Sequence, residues 1–221
     1  MIRFENLTKV FHLGHGGTKV VADNINVVFP TGRVVALLGR NGAGKSTLLS
    51  MIAGTVLPSS GQIVSTGTIS WPVGFAGSFH PELTGLQNTL FIARIYGADT
   101  EALVTFVEGF AGLGQHFRQP LRTYSSGMKS RLAFGVSMGI RFDTYLVDEV
   151  TAVGDAAFRA KSAEVFRARM EQAGAVMVSH SMPQVSQLCD AGAVLENGNL
   201  IYYDDLDAAI AHHERNMRKA G

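Results

Sequence analysis

Cysteine is almost missing from this chain: of its 221 residues only Cys189 carries a thiol. A single thiol excludes an internal disulfide and a cysteine-ligated metal cluster, and it fits a reducing compartment. Between Leu188 and Asp190 it reads as an inert, buried side chain at a helix end. Neither sign of charge is in excess, since 19 Lys+Arg face 18 Asp+Glu and leave a formal +1. That balance removes the bulk electrostatic case for nucleic acid or an anionic surface as partner. Long hydrophobic runs are missing too. A membrane-spanning helix needs about 18 consecutive apolar residues. The nearest candidate, 132–140, is interrupted by glycine and stopped by Arg141. Residues 1–7 alternate apolar and polar like a strand and lack a signal-peptide core. The expectation is a soluble chain, with any membrane crossing done by another subunit.

What is present is concentrated in one stretch, Gly39-Arg40-Asn41-Gly42-Ala43-Gly44-Lys45-Ser46-Thr47. It has the form GxxxxGK[ST], follows the buried-strand pattern of 34–38, and opens a helical pattern that Gly54 stops. The glycines let backbone N–H groups turn toward a triphosphate, and the helix N-terminus adds its dipole. Lys45 is expected to reach the β- and γ-phosphates and the Ser46 hydroxyl to ligate Mg²⁺. The spacing is not GxGxxG, so a dinucleotide site does not fit. ATP and Mg²⁺ are therefore the expected ligands.

Two further sites fit that reading. The apolar run Tyr145-Leu146-Val147 leads into Asp148-Glu149, a strand end offering two carboxylates. Asp148 is expected to hold Mg²⁺ through water, and Glu149 to orient and polarise the attacking water. His180, just past the 175–178 strand pattern, is placed to touch a γ-phosphate. A second anion site is expected where Ser125-Ser126-Gly127 opens a helix. Two such sites in separate subdomains suggest a homodimer that sandwiches ATP.

Along the chain the pattern is α/β. Strand alternation fills 2–7, 20–29 and 34–38, and the turn at Pro58-Ser59-Ser60-Gly61 leads into a short strand pair over 63–65 and 68–71. The glycine-rich stretch 12–18 reads as a loop whose His12 and His15 lack a third ligand. Helical texture runs over about 75–140, with Thr84 as a cap and further helices opening at Asp99 or Thr100 and after Ser125. Strands and helices alternate again from Tyr145, with a hairpin at Asn197-Gly198 and a helix over 210–218. The expected architecture is one domain, 1–221, with a P-loop α/β core, an N-terminal antiparallel β part and an inserted helical subdomain.

Taken together, these motifs resemble the ABC (ATP-binding cassette) ATPases over essentially the whole chain. The stretch 124–128, YSSGM, is similar to the family signature LSGGQ, whose contacts are made in trans across the dimer that sandwiches the nucleotide. Ser126 and Met128 depart from it. The stretch 152–155 is similar to the D-loop, with Asp155 kept. Phe11 stands where the family stacks an aromatic on adenine, and a core residue at a strand end is the alternative. The family's glutamine after the Trp71 strand is missing, since no Gln lies between Gln62 and Gln87. The stretches WPVG, LTG and VDEVTAVGD resemble the polysaccharide-export branch, and within it the KpsT-type ATPases of capsular polysaccharide export. The resemblance implies ATP hydrolysis coupled to export, at the cytoplasmic face of the bacterial inner membrane. It also implies an integral membrane permease contacted through about 71–85, and no C-terminal carbohydrate-binding domain. An O-antigen or teichoic-acid exporter is the neighbouring reading. A soluble non-transport ABC ATPase fits less well, because neither a long coiled-coil insertion nor a second cassette is present.

Overall fold

The computed structural model describes residues 1–74, 77, 79–148 and 155–218. In chain order the elements are β1 (Ile2–His12), β2 (Thr18–Phe29), β3 (Val34–Leu38), α1 (Lys45–Ile52), β4 (Ser60–Ser65) and β5 (Ile69–Pro72). The helices α2 (Gly85–Ile95), α3 (Thr100–Ala111) and α4 (Ser126–Gly139) follow. Then come β6 (Thr144–Asp148), α5 (Ala156–Met170), β7 (Gly174–Val178), α6 (Met182–Leu188), β8 (Ala191–Glu196), β9 (Asn199–Tyr203) and α7 (Leu206–Arg218). The chain divides into two compact units. One is Met1–Pro72, Phe142–Glu149 and Met170–Gly221, and the other is Val73–Arg141 and Val150–Arg169.

The first unit contains two sheets. One is antiparallel, in the order β2-β1-β4, and the other has the order β5-β6-β7-β3-β8-β9. The pairs from β5 to β8 are parallel, and β9 closes the edge antiparallel to β8. In β3 and β7 every residue is buried, as parallel strands covered on both faces require. Their apolar runs were the legible signal. In β1 the pattern alternates instead, with Ile2 and Phe4 buried and Arg3 exposed. At Asn6, with φ 48°, the register to β2 shifts. The core lies between the two sheets. It packs Phe4, Leu7 and Phe29 with Leu48 and Leu49 of α1 and with Leu146, Val176 and Leu195.

The expected strand pair over 63–65 and 68–71 is a correction, because β4 and β5 do not pair. β4 joins β1, while β5 joins β6 in the other sheet. The reason lies at Asp143, whose Oδ2 accepts the Thr68 N–H at 2.7 Å and the Thr68 hydroxyl at 2.8 Å. Those bonds draw the chain to the start of β6 and hold the Asp143 carboxyl below its ordinary pKa, the Thr68 backbone bond being the largest cause. Ser70, fully buried, accepts the Leu146 N–H at 2.9 Å and continues the connection. Two limits also differ: β1 runs on through His12, and α7 begins at Leu206 rather than near 210.

In the second unit α3 and α4 pack closely. Phe110 stacks on Phe106 and Phe134, with centroids 5.6 and 5.7 Å apart, and meets Phe158 edge-on at 5.2 Å. A Cβ at Gly139 would overlap Leu103, so the glycine admits the neighbouring helix. The apolar stretch 132–140 proves to be the buried body of α4, with Leu132, Val136 and Met138 at 0% exposure. Among the described residues no helix is long and apolar enough to cross a membrane. Thr84 closes a capping box on α2: its hydroxyl accepts the Gln87 N–H at 3.0 Å while Gln87 Oε1 accepts the Thr84 N–H at 2.9 Å. Replacing Thr84 by Ala should lower stability by about 1 kcal/mol, read as a shift of the urea midpoint without a change in slope.

Candidate functional site

The chain leaves β3 at Leu38 and enters α1 at Lys45, so the phosphate-loop residues turn directly over the C-terminal edge of the parallel sheet. Gly42 and Gly44 have φ 78° and 108°, the left-handed region that glycine adopts without strain. Gly44 is the N-cap of α1 and carries no side chain to satisfy the first turn's N–H groups. The helix N-terminus and its dipole suit an anion. Space is tight as well: a Cβ on Gly44 would overlap Val21, and one on Gly39 would overlap the Leu195 carbonyl. The Lys45 ammonium donates to the carbonyls of Gly39 at 2.7 Å and Arg40 at 3.0 Å.

A cavity of about 420 Å³ opens over this loop. Its lining joins Asn41, Gly42, Gly44, Lys45, Ser46 and Thr47 to Asp148 at the end of β6 and His180 beyond β7. Parallel register does the joining. Asp148 lies level with Val178, and Ala36 with Met177, so the three strand ends face one space. Phe11, at the end of β1, lines the same cavity. It is 39% exposed, which sets aside the core-residue alternative, and the Lys9 ammonium lies 4.8 Å from its ring centroid.

For a magnesium ion the donor set is the relevant test. Ser46 and Asp148 present a hydroxyl and a carboxylate to one cavity, and these are hard oxygen donors. Among the described residues no cluster of three or more His, Cys, Asp or Glu side chains forms a self-sufficient metal site. Such a sparse set suits Mg²⁺, which takes one or two protein ligands and completes its shell with phosphates and water. The residues fit the ion.

The remaining expected residues are distributed differently. Glu149 and 152–154 lie outside the described residues. Asp155 stands just before α5, where its Oδ1 accepts the Phe158 N–H at 2.9 Å and its Oδ2 pairs with Arg131 at 2.7 Å. Those partners, the Phe158 N–H first, hold its carboxyl below the ordinary pKa. Ser125 is the N-cap of α4, with its hydroxyl accepting the Met128 N–H at 3.2 Å, and Ser126 and Gly127 form the first turn. They belong to the second unit. Cys189 is buried 3.8 Å from the Met177 sulfur, and burial, then Asp190, pushes its thiol up to about 12.

Three groups escaped the sequence reading. Lys19 and Val21 of β2 line the cavity because the β1–β2 ladder sets Lys19 opposite Phe11. Only that register could have found them. Asn88, 1% exposed, donates to the carbonyls of His80, Leu83 and Thr84 and accepts the His80 N–H at 2.8 Å. It fixes the segment leading into α2. The third is α7, whose His213 and Met217 line a second cavity beside the phosphate loop.

The model of the ABC transporter family matches residues 22–152. This chain belongs to the ABC transporter family. Among curated relatives of this ABC protein, the polysialic acid transport ATP-binding protein KpsT of Escherichia coli is 48% identical over 97% of this chain and 96% of its own length. The ATP-binding protein BexA of Haemophilus influenzae is 42% identical over 99% of this chain and all of its own. A solved dimer of the ATP-binding cassette MJ0796, in a post-hydrolysis state with ADP and Pi, has a TM-score of 0.74 at 21% identity. That match covers 90% of this chain and 96% of the other and shows a shared fold.

Lys45→Ala removes the ammonium that the loop's carbonyls hold at the cavity. Affinity for a fluorescent ATP analogue should fall by at least tenfold in equilibrium titration, and an unchanged dissociation constant would contradict the phosphate-loop assignment.

Proposed function

We propose that this chain is the ATP-hydrolysing subunit of an ABC exporter that moves lipid-linked capsular polysaccharide across the bacterial inner membrane. The observation that carries the hydrolytic part is the convergence of Lys45, Ser46, Asp148 and His180 on one cavity. The cargo rests on the relatives, which are named for polysialic acid transport and, in the 42%-identical CtrD of Neisseria meningitidis, for capsule polysaccharide export. Matches to O-antigen exporters are weaker, at 35% identity for RfbB of Klebsiella pneumoniae.

In this reading the N–H groups of 42–47 and the Lys45 ammonium hold the β- and γ-phosphates, and Phe11 lies against the adenine. Ser46 and, through water, Asp148 would hold Mg²⁺, which would offset charge on the phosphate oxygens. Glu149 orients the water that attacks the γ-phosphorus, and the ADP oxygen leaves in line. His180 donates a hydrogen bond to the γ-phosphate, so the charge that grows there in the transition state is stabilised. Ser125, Ser126 and Gly127 of the second copy offer a helix N-terminus to the same γ-phosphate, and Asp155 belongs to the contact between copies. ATP thereby becomes the adhesive of a homodimer. Glu149→Gln keeps the metal ligand Asp148 but cannot polarise water, so the ATP-bound dimer should accumulate. Gel filtration with ATP and Mg²⁺ checks this, and a variant that binds ATP yet stays monomeric would overturn the sandwich.

The permease contact lies in the part of 71–85 nearer α2. Trp71 is half-buried and meets Phe142 edge-on at 5.5 Å. The surface gains from α2 and its C-cap, where Phe91, Ile95 and Tyr96 are 51%, 58% and 44% exposed. Apolar side chains gathered on one exposed helix favour a protein partner over water. Cysteine placed at Phe79 or His80 should cross-link to the permease's cytoplasmic loops, and substitution of both by polar residues should uncouple export from ATP hydrolysis. Cross-links mapping only to α5 would refute the assignment.

A further inference from the structure

A second cavity, of about 330 Å³, shares only Lys45 and His180 with the nucleotide cavity among the described lining residues. One side is the end of β3 and the loop, with Leu38, Gly39 and Lys45. The other is α7, with His213 and Met217. The helix is set there by close packing. Ala209 is fully buried, and a Cβ on Gly192 of β8 would overlap its side chain, so the two backbones approach as closely as glycine permits. Leu206, Ala209, His213 and Met217 are spaced by three, four and four residues and therefore share one helix face. A second anchor fixes the rotation, since the Tyr203 hydroxyl lies 2.9 Å from His212 Nδ1.

We propose that His213 is a positioning residue for the phosphate-loop lysine: α7 sets its imidazole on the cavity that Lys45 also lines, where its charge state sets how firmly the ammonium serves an incoming triphosphate. This rests on the nucleotide-binding reading above. The ring is half-buried, and burial first, then the Lys45 charge, holds its pKa below the ordinary value. Glu196 at the end of β8 and Glu214 on α7 oppose that shift, and His212 adds to it. Arg218 and His180 line the same cavity, Tyr203 of β9 is engaged by His212, and β3 carries no ionisable side chain. At neutral pH the ring is thus uncharged and Lys45 rests on the Gly39 and Arg40 carbonyls. A bound triphosphate offsets the Lys45 charge, which relieves His213 and raises its proton affinity. By linkage a proton on His213 must tighten nucleotide binding to the same degree, by adding positive charge behind the ammonium. The sign is fixed: affinity gains as pH falls through the His213 pKa.

The test titrates a fluorescent ATP analogue, with Mg²⁺, onto the full chain and onto His213→Gln and His213→Asn between pH 8 and pH 5.5. Taking the ratio of variant to wild-type dissociation constants cancels the nucleotide's own protonation. A linked shift of one pKa unit corresponds to about a tenfold change. The ratio should be near one at pH 8 and rise toward that value at pH 5.5. Calorimetry in two buffers of different ionisation enthalpy should show proton uptake on binding that both variants lose and that His212→Gln keeps. A ratio that is flat in pH, even if raised throughout as a structural defect would give, overturns the proposal while leaving the ATPase reading intact. Wild-type protein that binds no nucleotide at any pH overturns both.

Discussion

Parallel pairing of β6, β7 and β3 is the constraint on which the rest of the first unit depends. Parallel strands finish on the same edge of the sheet, so whatever follows each of them is delivered to one place. Here the followers are a glycine loop, a carboxylate and an imidazole, from residues more than 130 positions apart in the chain. Because the pairing is locked by fully buried apolar side chains, a one-residue slip would drive Asp148 toward the core. Burial in the sheet and chemistry at its edge are two consequences of the same register.

Close backbone approach carries that order outward. Gly44 leaves room for Val21, which ties the antiparallel sheet to the phosphate loop and brings Phe11 and Lys19 to the cavity rim. Gly39 leaves room for the Leu195 carbonyl, and Gly192 for Ala209, so β8 and α7 are set against the same loop. Each contact is an absence of a methyl group. The phosphate loop is consequently pre-shaped by its neighbours, and less ordering remains to be done when a ligand arrives.

The second unit is organised by helix ends and rings. Ser125 and Asp155 each accept an N–H three residues on, at Met128 and Phe158, and Asp155 also binds Arg131 of α4. Arg131 lies 4.7 Å from the Phe158 ring centroid, so one cation serves both the aspartate and the aromatic cluster. Asp155 thus ties the start of α5 to α4 and gives that helix pair a defined geometry.

Local rules made much of the protein legible in its sequence. The phosphate loop, the Thr84 and Ser125 caps, the Asn197-Gly198 hairpin and the buried strands each depend on backbone preferences within a few residues. The nucleotide-binding chemistry could be read because its spacing is a property of one continuous turn. Tertiary structure alone decided that β4 and β5 enter different sheets, since the Thr68–Asp143 bonds join positions 75 residues apart. It alone placed Lys19 beside the nucleotide cavity, through cross-strand register, and His213 on a cavity that Lys45 also lines. It alone also set Trp71 against Phe142, which arrives from the far side of the helical segment. Pairings across such distances depend on which faces pack together, and a single sequence does not encode that in any local pattern.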